Sequence, residues 1–202
     1  KMIGVWDTVG ALGIPSILSK PFTWFFLPVL LSPFRKLGWI DQYHFLDTKI
    51  NDLVENAYHA LAIDEARRDF YPTLWERGNY KGCLEQVWFS GVHTNIGGGY
   101  EDTGLSDLTL DWMISKAEKH GLKFNQAYRE QIKPDMLGEL RDSRFGFNKY
   151  IYGRQVRAIE ELMNKVDQSI KFHWSVRERM RRSIMRYRPQ NLPDQGDWYE
   201  LD

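Results

Sequence analysis

The segment LEQVWFSGVHTNIGGG, residues 84–99, gives the clearest indication of the fold, because an apolar run passes directly into a histidine and a triple glycine. The run 84–90 is short and followed by glycine, which is typical of a strand buried on both faces of a parallel sheet. Functional side chains in open α/β sheets lie just past the carboxyl ends of the strands, so His93 is a candidate site residue. The glycines at 97–99 would let the backbone pass close to His93 or to a substrate.

A similar arrangement occurs near the start of the chain, where the apolar run at residues 2–6 is followed by Asp7, Thr8 and Gly10. We therefore predict a second buried strand with Asp7 at its carboxyl end. In α/β-hydrolases the triad follows the chain order nucleophile, acid, histidine. Asp7 precedes His93, so the two residues have the order of a triad acid and a triad histidine.

The chemistry of Asp7 and His93 would be complementary. A histidine with a pKa of about 6.5 can take and return a proton near neutral pH. A neighbouring carboxylate orients the imidazole, selects its tautomer and stabilises the imidazolium that forms. Each residue also has a structural alternative, since Asp-Thr after a strand often caps a helix and a lone histidine at a strand end is commonly structural.

The four remaining histidines are weaker candidates. His59 and His173 are expected to be packed histidines with satisfied hydrogen bonds, and His120 lies at a predicted helix end, where a cation is mildly favoured. His44 lies in the long connection after the first predicted strand.

The order of the remaining predicted elements favours an α/β sheet with parallel strands. Helices are predicted from Asp52 to about Arg68, from Ser106 to His120, over 155–166 and, as a basic helix, over 175–188. Two strands cannot form such a sheet alone, so we expect the remaining strands before Lys1 or on another chain.

Residues 15–40 form an unusual apolar stretch that prolines interrupt. Its apolar part is shorter than the span of about 20 residues that a membrane helix needs. We predict a lid-like insertion, an interfacial segment or a loop packed on the core, with residues 22–34 as a candidate membrane-surface contact.

The composition excludes some classes of function. The 202 residues contain 27 Lys plus Arg and 27 Asp plus Glu, so no overall positive charge favours nucleic acid, and we predict no nucleic-acid partner. The single Cys83 excludes an internal disulfide and a multi-cysteine metal site. No paired metal-ligand spacing surrounds His93, so we predict no metal and no cofactor.

A nucleophile motif is missing from the sequence. No G-x-S-x-G occurs in the 202 residues, and Phe89-Ser90-Gly91 lacks the first glycine and lies too near His93. The chain begins at Lys1 directly before an apolar run. We therefore expect it to be a fragment whose upstream half carries the nucleophile.

Several blocks of the sequence resemble successive blocks of one family, the α/β-hydrolase group typified by type VI secretion phospholipase effectors. The blocks are IGVWDTVGA at 3–11, YHALAIDE at 58–65, FYPTLW at 70–75, VWFSGVHTNIGGGY at 87–100 and LSDLTLDWM at 105–113, with HWSV at 173–176 and YRPQNL at 187–192 resembling the family's tail. Several long motifs in one order are far more specific than one short motif.

The resemblance implies that residues 1–202 are the downstream part of one α/β-hydrolase catalytic domain, a parallel sheet flanked by helices with a lid-like insertion and a helical tail. It implies a Ser–Asp–His hydrolase in which Asp7 matches the acid and His93 the general base. The family's nucleophile lies in an upstream G-F-S-R-G-like elbow, which is absent from these residues. The implied substrate is a phospholipid or another carboxylic ester.

The resemblance also implies a soluble protein, cytoplasmic in the producing cell, that a secretion system delivers to a target-cell membrane or periplasm. It does not identify a secretion or immunity partner. Two other hypotheses stay open: a catalytically inactive truncated remnant or interaction module, and a protein that binds membranes through residues 22–34.

Overall fold

The computed structural model describes residues 1–10, 48–166, 168–182, 186–193 and 196–199. Within these residues, the centre of the fold is a sheet of five strands in the sequential order β1-β2-β3-β4-β5. All neighbouring strands are parallel, so their carboxyl ends share one edge of the sheet. The strands are β1 (Met2–Trp6), β2 (Asn56–Ala62), β3 (Cys83–Phe89), β4 (Lys171–His173) and β5 (Asp197–Tyr199). The predicted α/β class is confirmed.

Helices connect and cover the strands. They are α1 (His93–Gly97), α2 (Gly104–Lys119), α3 (Gln126–Arg129), α4 (Asn148–Ile151), α5 (Ile159–Lys165) and α6 (Trp174–Arg182), with a 3-10 turn at Arg68–Phe70. The prediction for 106–120 is confirmed by α2, and those for 155–166 and 175–188 are partly confirmed by α5 and α6. Residues 186–189 are not helical.

The helix predicted from Asp52 to Arg68 is wrong, because residues 56–62 form β2 at the interior of the sheet. β2 is apolar on both faces, so its sequence lacks the alternation that marks a half-exposed strand. Leu61 packs on one side of the sheet, while Tyr58, Ala60 and Ala62 pack on the other. The apolar residues that follow helical spacing in this segment belong to a strand that is buried on both faces of the sheet.

The expectation that these residues would contribute only two strands is also wrong, since β2, β4 and β5 belong to the same chain. β4 and β5 contain three residues each, which is too short for a periodic sequence signal.

Two apolar cores lie on opposite faces of the sheet. Trp88 and Phe172 pack with Met163 of α5 and Val176 of α6. On the other face, Phe89, Ile96 and Trp112 pack with the β2 side chains. Burying a large apolar side chain contributes roughly 1.5–3 kcal/mol, so these contacts position α1, α2, α5 and α6 against the sheet.

The predicted lid-like insertion, the candidate membrane contact at 22–34 and His44 lie outside the described residues. Among the residues that are described, no helix is long and apolar enough to cross a membrane.

Candidate active site

Asp7 is the first residue after β1, at the carboxyl edge of the sheet. Its backbone has a positive φ of 41°, a conformation that aspartate tolerates better than most residues. The Asp7 N–H donates to the carbonyl of Ala60 at 2.7 Å, which extends the pairing of β1 with β2. The side chain is only 1% exposed, and its Oδ1 accepts from the N–H of Ala62 at 2.8 Å. Asp7 is therefore a buried carboxylate positioned by the backbone of β2.

His93 is the first residue of α1, shortly after the end of β3. Its Nδ1 lies 2.8 Å from Oδ2 of Asp7, so the structure brings together the two residues that were predicted from the sequence. An ionised carboxylate only accepts hydrogen bonds, which assigns the hydrogen to Nδ1 and leaves Nε2 as the basic nitrogen. The His93 side chain is 30% exposed, in contrast to the buried carboxylate behind it.

Arg157 faces Asp7 from the segment before α5, and sequence reasoning did not find it. Its Nη1 donates to Oδ1 of Asp7 at 2.5 Å, and its Nη2 donates to Oδ2 of Asp7 at 2.9 Å. The Arg157 side chain is 1% exposed. The same nitrogens donate to the carbonyls of Ala62 and Phe70, each at 2.6 Å. Asn191 donates to the Arg157 carbonyl at 3.1 Å. The guanidinium thus pairs with both carboxylate oxygens in a bidentate geometry.

Opposing effects act on the charge of Asp7. Burial by itself would raise the pKa of its carboxyl group. The Arg157 cation and the hydrogen bonds from His93, Arg157 and Ala62 outweigh burial and lower the pKa well below its usual range. Asp7 is therefore anionic at neutral pH.

Glu65 positions the backbone of His93. Its Oε2 accepts the His93 N–H at 3.2 Å, and Ser143 Oγ donates to its Oε1 at 2.7 Å. Arg67 makes a bidentate pair with the same carboxylate, through Nε at 3.0 Å and Nη2 at 2.9 Å. Burial would raise the pKa of Glu65, but the hydrogen bonds and charge of Arg67 lower it. Glu65 lies in the stretch YHALAIDE at 58–65, but no local pattern predicts its contact with His93.

Aromatic side chains lie beside the His93 ring. Phe70 meets it edge-on, with ring centroids 5.1 Å apart, and Tyr152 meets Phe70 at 5.7 Å. The Arg67 guanidinium lies over the Phe70 ring at 3.4 Å. The imidazole therefore has a fixed apolar neighbour on the side of residues 67–70.

The predictions for His59 and His173 as packed histidines are confirmed, although His59 lies in β2 rather than in a helix. His59 Nε2 accepts the N–H of Thr8 at 3.1 Å, and its Nδ1 lies 3.2 Å from Gln86 Oε1. Burial lowers the pKa of His59 to about 4, so it is neutral and positions the turn after Asp7. Nδ1 of His173 lies 2.8 Å from Oγ of Ser175, and burial lowers the pKa of His173 to about 3.

Asp64 connects the loop before His93 to the tail of the chain. Its Oδ2 accepts the Gly91 N–H at 2.7 Å and the Tyr187 hydroxyl at 2.8 Å. Burial raises the pKa of Asp64 to about 6, although both hydrogen bonds oppose this rise. Gly91 has a φ of 133°, and a Cβ there would lie 2.6 Å from Cβ of Asn95, so the loop needs glycine.

Within the described segments, no group of three or more His, Cys, Asp or Glu side chains could bind a metal ion. The carboxyl edge of the sheet instead carries an Asp–His pair and a buried arginine. Such a pair can take up a proton at Nε2 of His93 and stabilise the resulting imidazolium.

Fold and site together define an α/β protein with a buried carboxylate–histidine pair past the ends of β1 and β3, the two parallel neighbours of β2. A family model described as "T6SS, Phospholipase effector Tle1-like, catalytic domain" matches residues 1–116. The chain belongs to this family, which confirms the resemblance found in the sequence blocks. Asp7 and His93 lie inside the matched region, whereas Arg157 lies beyond it.

The chain is also similar to the uncharacterized protein YEL023C of Saccharomyces cerevisiae (strain ATCC 204508 / S288c), with 41% identity over 46 residues. The similar stretch covers 20% of this chain and 7% of the yeast protein, so the chain spans only a small part of that relative. No solved structure matches the chain.

Proposed function

We propose that this chain supplies the acid and the general base of a serine-type carboxylic ester hydrolase that acts on phospholipids. The observation that carries the proposal is the 2.8 Å contact between Nδ1 of His93 and the buried Asp7 carboxylate. Membership of a phospholipase effector family supports the substrate class. The G-x-S-x-G motif is absent from the 202 residues, and we propose that the nucleophile lies on a segment outside them.

In the proposed reaction, the serine oxygen attacks the ester carbonyl carbon while Nε2 of His93 accepts the serine proton. Asp7 stabilises the imidazolium through Nδ1. When the tetrahedral intermediate collapses, the carbon–oxygen bond to the alcohol breaks and the alcohol oxygen takes the proton from His93. Water then attacks the acyl-enzyme with His93 again as base, which releases the fatty acid and restores the serine.

Arg157 acts as a positioning residue in this proposal. Its two nitrogens and the Ala62 N–H occupy acceptor sites on both Asp7 oxygens, so the carboxylate cannot rotate away from His93. Because Arg157 also keeps Asp7 ionised, the proton stays on the imidazole after the attack.

The test is ester hydrolysis by a protein that combines these residues with the nucleophile-bearing segment. We expect His93→Ala and Asp7→Asn to lower kcat on a short-chain nitrophenyl ester by about 10³-fold or more, and the 202 residues alone to be inactive. His120→Ala is the matched control, since His120 contacts the Tyr58 hydroxyl instead of the site. Hydrolysis that persists in both variants would remove Asp7 and His93 from the mechanism.

A catalytically inactive remnant or interaction module is the second candidate, favoured by the missing nucleophile motif. It predicts that well-folded protein hydrolyses neither nitrophenyl esters nor phospholipid vesicles, whichever upstream segment is present. In the active alternative, the family points to secretion-dependent delivery to a target-cell membrane or periplasm, with residues 22–34 as a candidate membrane contact.

A further inference from the structure

Three aromatic side chains project into solvent from one short segment. Phe145, Phe147 and Tyr150 are 83%, 77% and 75% exposed, the highest values among the exposed large hydrophobic side chains of the described residues. By contrast, Phe89 and Phe172 are 1% and 2% exposed. A cluster of exposed apolar side chains marks an interaction surface rather than ordinary surface variation.

The same segment is positively charged, although the whole chain is neutral. Residues 141–154, which we name the basic aromatic segment, contain Arg141, Arg144, Lys149 and Arg154 against Asp142 as their acidic residue. Arg141 pairs with Glu139 at 2.8 Å. Aromatic rings beside Lys and Arg are the combination that favours the interface of an anionic bilayer.

The ends of the basic aromatic segment are attached to the site residues. Ser143 donates to Glu65, which accepts the backbone N–H of His93. Near the other end, the Gly153 carbonyl accepts from the Arg68 N–H at 2.8 Å. Tyr152 packs on Phe70, which itself packs on His93. The exposed rings therefore belong to a segment with a defined position beside His93.

The local backbone favours a bilayer over a peptide partner. Residues 143–147 form turns and α4 is a single helical turn, so the aromatic side chains project from a short, curved segment. Neither a strand edge nor a long helical face is present at residues 143–151 for a peptide to pair with.

We propose that the basic aromatic segment is a membrane-contact surface that binds anionic phospholipid bilayers and places His93 at the lipid interface. The lipid class rests on the proposed function, while the surface rests on exposure, charge and attachment to the site. Phe145, Phe147 and Tyr150 insert at the headgroup boundary. The exposed Lys149 faces lipid phosphates, and the half-buried Arg144, whose Nη2 donates to the Lys149 carbonyl at 3.4 Å, adds positive charge beside it.

The experiment measures partition of the protein onto vesicles of phosphatidylcholine, with and without phosphatidylglycerol. The variant F145S/F147S/Y150S should lower the partition coefficient about tenfold or more, because each ring loses an apolar contact. R144E/K149E should abolish the preference for phosphatidylglycerol and its salt dependence. Tyr128→Ser is the matched control, because Tyr128 is 71% exposed on α3, outside the segment, and its loss should leave partition unchanged.

Unchanged unfolding midpoints in the variants exclude a folding defect. Vesicle binding that is absent in the parent, or equal in the parent and the triple variant, would overturn the proposal. Dissociation of a dimer by the triple variant, with vesicle binding retained, would assign the surface to a second copy of the chain. Vesicle partition does not require hydrolysis. A protein that binds vesicles but does not hydrolyse a soluble ester would contradict the proposed function alone, whereas a protein that hydrolyses the ester but does not bind vesicles would contradict the membrane-contact surface alone.

Discussion

Replacing Arg157 with methionine removes the cation that faces Asp7 while retaining much of the side-chain volume. The substitution leaves a carboxylate that is 1% exposed without its ion-pair partner, and it removes the Arg157 donors to the carbonyls of Ala62 and Phe70. Removing one partner of a buried ion pair costs roughly 3–5 kcal/mol. That is a large share of a typical unfolding free energy of about 5–15 kcal/mol.

The cost of Arg157→Met should depend on pH. In the parent, the pKa of Asp7 is depressed, so its stabilising contribution is present at neutral pH and is lost only as pH falls through the depressed value. Without Arg157, burial raises the pKa of Asp7, and the carboxylate can be protonated at mildly acidic pH. The difference in stability between parent and variant should therefore be largest at neutral pH and should shrink toward about pH 4.

Urea unfolding of the parent, Arg157→Met, Asp7→Asn and the double variant forms a thermodynamic cycle. We expect Arg157→Met to cost at least about 2 kcal/mol less in the Asp7→Asn background, because the uncompensated charge is then absent. The assignment of Arg157 as the counter-ion of Asp7 would be refuted if Arg157→Met lowered the unfolding free energy of the parent by less than about 1 kcal/mol. It would also be refuted if the substitution lowered the unfolding free energy equally in the parent and in Asp7→Asn.

Asp64 and His59 should give opposite pH responses of the unfolding free energy, each measurable by urea unfolding between about pH 4 and pH 7. Because the pKa of Asp64 is raised to about 6, the folded protein binds a proton that the unfolded chain releases, and stability falls as pH rises from about 4 to 6. Asp64→Asn should remove this fall and raise the unfolding free energy by up to about 2–3 kcal/mol at neutral pH. A pH profile of stability unchanged from that of the parent would contradict this role of Asp64. Because the pKa of His59 is lowered to about 4, stability falls as pH drops below about 6.5. His59→Leu should abolish that acid sensitivity but cost about 1–3 kcal/mol at neutral pH, since the Thr8 N–H loses its acceptor; an acid sensitivity equal to that of the parent would count against this role.

The Asp–His pair could be predicted from the sequence because each residue directly follows a short apolar run. Parallel strands bring such positions to one edge of the sheet, so the location of Asp7 and His93 at the same edge follows once β1 and β3 are recognised, although β2 lies between them. The order of the two residues along the chain then suggested their roles.

Arg157 could not be predicted in the same way. It lies 150 residues from Asp7, in an irregular segment that also contains Arg154, and only the fold shows which arginine is buried. Likewise, β2 has no strand-like alternation because it is covered on both faces, and β4 and β5 are too short to produce a period. Long-range burial, rather than local propensity, determined each of these features.

The position of Arg157 has a consequence for recombination between relatives. The family match ends at residue 116, yet the charge of Asp7 is neutralised from beyond that boundary by Arg157, which Asn191 contacts in turn. A chimera that joins residues 1–116 to an unrelated tail would inherit an uncompensated carboxylate at the centre of its fold. The segment that carries Asp7 and the segment that carries Arg157 therefore have to be exchanged together, as one heritable unit.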